Sequence, residues 1–185
     1  MSMIGKLLMA AGAAGLAMAA SAEPFTLSST SFADGAVLAR KHAGNIPTNP
    51  NCVGRNVSPQ LSWSNVPAGT KSLAFLMIDP EGTLGLGTTH WVAYGVPPSR
   101  TSFAEGEVSL PAKGWKSGVT TQKLTTFGGP CTPPDTSWHH YTWVAIATDL
   151  DPDALPDGLT REELFAKLSG HAKASSGLVG RFKHP

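Results

Sequence analysis

The sequence predicts a mainly β domain, and three observations carry that prediction. Three long segments have strand character, glycine and proline are abundant, and only one segment carries a full set of helix signals. Glycine and proline together number 35 of 185 residues, and only 15% of residues are charged. That composition suits a turn-rich β protein better than a helical bundle.

The strands come first. Ser72-Leu-Ala-Phe-Leu-Met-Ile-Asp79 is a continuous apolar run, the pattern of a strand buried on both faces. His90-Trp-Val-Ala-Tyr-Gly-Val-Pro97 alternates, so His90, Val92, Tyr94 and Val96 are expected on one face and Trp91 on the other, in the core. Tyr141-Thr-Trp-Val-Ala-Ile-Ala-Thr148 is rich in aromatic and β-branched residues. Residues 25–30 and 61–64 are shorter candidates. The helix begins at Thr160, where Thr160 and Glu163 form a capping box. Leu164, Phe165 and Leu168 supply its apolar face, and Gly170 ends it. A short helical turn is expected near residues 172–175.

The N-terminus reads as a secretory signal peptide over residues 1–22. Lys6 is the basic n-region, residues 7–18 form the apolar h-region, and Ala20-Ser21-Ala22 is a small-residue cleavage site. The apolar run is too short and too diluted by Gly and Ala to span a bilayer. No second run approaches spanning length, so stable membrane insertion is not expected. Residues 23–185 are then a single domain in a periplasmic or secreted protein. That domain carries 13 basic and 13 acidic residues, since Lys6 is the only charge removed. The balance gives no reason to expect nucleic acid as a partner.

The two cysteines, Cys52 and Cys131, are not in a C-x-x-C pair, which argues against structural zinc or thioredoxin-like chemistry. In an oxidising compartment an even count invites one bridge, Cys52–Cys131. Two buried free thiols are the alternative.

Three polar residues stand at the ends of the strongest strands. Asp79 closes one, His90 opens the next, and His139 precedes the third. A carboxylate at the end of an apolar run needs partners, and two imidazoles can supply them. Their N–H groups could then serve an anion, with the amides of Gly128 and Gly129 as further donors. Taken singly each has a plainer reading: a turn-initiating Asp before Pro80, a satisfied core histidine, a surface loop histidine. His42, His171 and His184 lack metal-ligand spacing, and no metal or cofactor is expected. Nucleophile-elbow, zinc-protease, P-loop and dinucleotide-binding motifs are all missing.

Asp79-Pro80-Glu81, followed by His90-Trp91-Val92, resembles the first signature of the phosphatidylethanolamine-binding proteins. Gly128-Gly-Pro-Cys-Thr-Pro-Pro134, followed by His139-His140-Tyr141, resembles the second. Asn51 to Pro59, Leu61-Ser-Trp63, Val66 to Gly69 and the stretch from Gly170 to Gly180 are similar to the bacterial Raf-kinase-inhibitor-like branch. The resemblance implies a large central antiparallel sheet with a smaller sheet on one side and a few peripheral helices on the other. It implies a pocket for an anion or a phosphorylated head group, with Asp79, His90, Gly129, Pro130, His139 and Tyr141 at pocket positions. It also implies a possible protein target, a kinase or a protease. Glu81, Thr83 and His140 depart from the usual Asp, Pro and Arg, so anion binding is expected to be more pH-dependent. Binding without catalysis is the leading expectation; the alternative is a hydrolase using Asp79, His90 and His139 for acid–base work.

Overall fold

A computed structural model describes residues 23–185; the expected signal peptide lies outside the described residues. The apolar run 72–79 becomes β4, Ser72–Asp79, buried at seven of its eight positions. It pairs antiparallel on one side with β5, Thr88–Val96, and on the other with β8, His139–Thr148. Such a central strand has no solvent face, which is why its sequence is apolar without alternation. β9, Ala172–Phe182, pairs antiparallel with β8 over its length. Two short strands close the edges: β2, Ala36–Val37, parallel to β9, and β7, Lys116–Ser117, against β5. The large sheet therefore has six strands in the order β2-β9-β8-β4-β5-β7. A smaller antiparallel sheet joins β1, Thr26–Ser28, β3, Leu61–Ser64, and β6, Ser102–Phe103.

The two faces of the large sheet carry separate cores. On one, Phe75, Trp91 and Trp143 meet the inner residues of the small sheet, Leu27, Leu61, Trp63 and Phe103. Trp63 lies 4.6 Å from Phe75 between ring centroids, and Phe103 lies 5.5 Å from Trp91, edge-on. On the other face, Ala74, Leu76, Val92 and Tyr94 pack beneath the helix Arg161–Leu168. That helix has the capping box its sequence announces: Thr160 Oγ1 accepts from the Glu163 amide, and the Glu163 carboxylate accepts from the Thr160 amide. Among the described residues no helix is long and apolar enough to cross a membrane.

Four expectations need correction. Residues 172–175 form the start of β9 rather than a helical turn, because ladder pairing with β8 outweighs the weak helical preference of this short stretch. Phe165 is 42% exposed; only Leu164 and Leu168 face the sheet. In β5 the register to β4 slips by one residue between the Met77–Trp91 and Ile78–Thr89 pairs, leaving His90 as an extra residue. This β-bulge moves His90 off the face of Val92 and Tyr94 and onto that of Asp79 and Trp91. A second slip, around Gly95 at φ 64°, brings Val96 to the face of Trp91 and Ala93.

The helix contact gives a direct test. Leu164→Ala removes a buried side chain and should cost about 2–5 kcal/mol, whereas Phe165→Ala should stay within about 0.5 kcal/mol of wild type. Urea unfolding of the two variants measures both.

Candidate functional site

The site is built on Asp79, the last residue of β4, which is buried. Its Oδ1 accepts the amides of Glu81 and Gly82, each at 3.0 Å, in the turn that Pro80 begins. Its Oδ2 lies 2.8 Å from His139 Nδ1 and 3.8 Å from His90 Nε2. Burial alone would raise the Asp79 carboxyl, but the imidazoles of His90 and His139 override it and bring the pKa down to about 2. An ionised carboxylate only accepts, so His139 Nδ1 is the donor.

His90 reaches this place through the bulge. Its Nδ1 lies 2.7 Å from the carbonyl of Gly128, which can only accept, so Nδ1 carries the proton. The Gly128 amide in turn donates to the His90 carbonyl at 2.9 Å. This two-way bond locks the ring and its tautomer. It leaves Nε2 buried, without a partner, beside the carboxylate.

Tyr141, two residues along β8, completes the floor. Its ring packs edge-on to His90 at 5.2 Å and stacks with His139 at 6.3 Å. Burial, and after it the negative charge of Asp79, push the phenol above its ordinary pKa, so Tyr141 stays an O–H donor. A cavity of about 220 Å³ opens over these groups. Gln122 and the segment Cys131, Thr132 and Pro133 form further wall, and Gly82, Thr83 and Thr88 complete the lining. Thr132 Oγ1 is buried there without a hydrogen-bond partner.

Four of the six residues expected at the pocket thus meet: Asp79, His90, His139 and Tyr141. Gly129 and Pro130 do not line the cavity. The Gly129 amide donates to Asn56 Oδ1 at 2.7 Å, and the Pro130 carbonyl accepts from the Gly44 amide at 2.8 Å. A Cβ at Gly129 would strike the carbonyl of His42, so glycine is required for this close approach. Nor are the amides of 128 and 129 free for an anion, since both are already bonded. The loop serves as a braced wall whose inner surface begins one residue later, at Cys131. The Cys52–Cys131 disulfide ties that wall to the segment 49–56. Thr132 lies within the quoted Gly128–Pro134 motif without being singled out there, and Gln122 had no sequence signal.

At the rim, Glu81 and His140 are partners. The Glu81 carboxylate accepts the His140 amide and lies 2.9 Å from His140 Nδ1. Burial raises the Glu81 pKa and the His140 bonds lower it, with the bonds prevailing. Two departures from the usual motif therefore answer each other. Asp79, Glu81 and His139 also bring one ligand atom each within 4.8 Å of one another, the described residues' candidate group for a metal ion.

The family model for phosphatidylethanolamine-binding protein matches residues 28–183. The chain belongs to this family. A UPF0098 protein of Aquifex aeolicus is 32% identical over 144 residues, which cover 77% of this chain and 84% of that protein. LppC of Mycobacterium tuberculosis, named as a lipoprotein, is 34% identical over 170 residues, covering 89% and 75%. Among solved structures, Escherichia coli YbcL, described as a member of the mammalian PEBP family, superposes with a TM-score of 0.77 at 26% identity, covering 87% of this chain and 99% of that one. The PEBP homolog CT736 of Chlamydia trachomatis gives 0.74 at 28% identity, covering 88% and 99%.

The depressed Asp79 pKa makes acid stability a readout of the site. A carboxylate held below its unfolded value of 3.8 contributes stability above that pH and loses it as the pH falls through about 2. The contribution is on the order of 2 kcal/mol. Denaturant unfolding between about pH 5 and pH 2 should show this loss in wild type and not in Asp79→Asn.

Proposed function

We propose that this is an exported binding protein whose cavity holds a small anion or a phosphorylated head group. The observation that carries the reading is the pair of buried polar atoms lining the cavity without partners, His90 Nε2 and Thr132 Oγ1. Unpartnered buried polar atoms are costly, and a ligand that offers an acceptor oxygen to the Thr132 hydroxyl and a donor to His90 Nε2, as a hydrogen phosphate or an ammonium-bearing head group does, would satisfy them. The neutral Tyr141 hydroxyl adds a donor. His139, anchored to Asp79 through Nδ1, lines the cavity beside it. The pocket's own carboxylate is already engaged by two amides and a histidine, which lessens its repulsion of an anion.

Binding without catalysis is favoured by the hydroxyls and the thiol at hand. Thr83 and Thr88 bond to each other at 2.9 Å, and the Cys131 sulfur is in a disulfide, so neither these hydroxyls nor this sulfur is paired with a base. Export is supported by the leader-like residues 1–22 and by the lipoprotein name of the mycobacterial relative. On this reading the mature chain begins at Glu23 in the periplasm or medium, which N-terminal sequencing of the exported protein checks.

Calorimetry with phosphate and with phosphoethanolamine, from about pH 5.5 to 7.5, tests the ligand. Wild type should give binding heat with at least one of the two ligands. His139→Ala should weaken that binding roughly tenfold to a hundredfold, the worth of one charge-assisted hydrogen bond. No heat from either ligand at any of these pH values would overturn the anion reading.

A further inference from the structure

A second cavity, of about 140 Å³, adjoins the one over Asp79. Gln122 and Cys131 line both, so they form the ridge between the two. Cys131 is fixed there by its disulfide, whereas the Gln122 side chain is exposed. The lining residues of the second cavity carry no charge. Ile46, Leu124 and Phe127 give it an apolar side, and Asn45, Gln122 and Thr126 bring two amides and a hydroxyl. Asn56 also borders it but is committed to the Phe127 carbonyl and the Gly129 amide.

The glycines on this side differ in why they are glycine. A Cβ at Gly44 would strike the Cys131 sulfur, and one at Gly129 the His42 carbonyl, so close packing accounts for both. Gly128 has no such reason. Its φ is not in the left-handed region. A Cβ there would first meet the movable ends of two side chains, Leu124 Cδ1 at 3.0 Å and Gln122 Oε1 at 3.4 Å. Both side chains line the second cavity, so the missing methyl leaves space there, beside the ridge. Close approach of a ligand to backbone is a recognised use of glycine.

We propose that the two cavities form one bipartite site for a phosphate ester whose organic arm is an uncharged polyol of about three carbons. The phosphate sits in the first cavity, and the arm crosses beside Gln122 and Gly128 into the second. A charged arm would find no counter-charge there, and burying it would be costly. A plain alkyl arm would leave the amides and the hydroxyl unserved. Hydroxyl groups both donate and accept, as the Asn45 and Gln122 amides and the Thr126 hydroxyl do. The volume of about 140 Å³ is several water volumes at ~30 Å³ each, room for a glyceryl arm and too little for an acyl chain. The arm's placement rests on the anion reading for its phosphate end.

Calorimetry of the purified protein with inorganic phosphate, glycerol 3-phosphate and n-butyl phosphate tests the site. Glycerol 3-phosphate should bind about tenfold more tightly than either of the others, the worth of about two net hydrogen bonds. Leu124→Trp and Gly128→Ala each narrow the second cavity. In either variant, glycerol 3-phosphate should fall to within about twofold of inorganic phosphate. Circular dichroism checks that each is folded. A readout that needs no variant is the NMR spectrum of the wild type: the Asn45 side-chain amide and the Thr126 backbone amide should shift with glycerol 3-phosphate and stay in place with inorganic phosphate. Glycerol 3-phosphate binding no more tightly than phosphate, or leaving those two resonances unmoved, overturns the second cavity as part of the site. Butyl phosphate binding as tightly as glycerol 3-phosphate overturns the polyol arm. Phosphate heat without any preference among the three leaves the anion reading standing and removes this one, whereas silence from all three removes both.

Discussion

A single buried carboxylate organises this molecule. Asp79 ends the most apolar strand of the sheet, where a charge is costly unless every lone pair finds a partner. Its hydrogen-bond partners are the amides of the turn after Pro80 and His139 from β8, and the His90 ring from β5 stands beside it at 3.8 Å. Each brings a neighbouring element with it. β5 departs from regular pairing to deliver His90, and β8 begins at the residue that meets the carboxylate. The cavity exists because these ends converge on one charge and stop short of filling the space above it.

The wall over that charge is rigid by construction. Residues 128–130 are bonded to β5, to Asn56 and to Gly44, and the disulfide at Cys131 anchors the next residue to the segment 49–56. Prolines 130, 133 and 134 restrict the backbone further. A loop held at so many points loses little entropy when a ligand binds, which is the physical meaning of a preformed site. It also explains why two buried polar atoms can remain unpartnered: the surrounding backbone is not free to collapse onto them.

The rim follows a different logic. Glu81 and His140 face solvent more than the floor residues do, and they are joined to each other by two contacts rather than pointing into the cavity. Where the family usually places a permanently charged arginine, this chain has an imidazole already held by a carboxylate. The mouth therefore lacks a permanent positive charge at this position, whereas on the floor the carboxylate stays ionised to about pH 2.

Much of this was legible in the amino-acid sequence. The unbroken apolar run of β4, the aromatic β8 and the capping box at Thr160 are local signals, and each is where the structure has it. Asp79, His90 and His139 could be picked out because chemistry at strand ends is itself a local pattern, and the paired motifs extended that to Tyr141. What the sequence could not decide was direction and reach. Strict alternation places His90 beside Val92; only the slipped register against β4 turns it to Asp79. Gly129 and Pro130 look like pocket residues from their motif, but their bonds to residues 44 and 56 put them behind the wall, with Cys131 and Thr132 in front. β9 carries little strand signal of its own and is ordered by its ladder with β8. Periodicity reports which face a side chain would take on an ideal element. Bulges, crossing loops and ladder partners depend on segments far away in the chain, so the site's final geometry belongs to the tertiary structure alone.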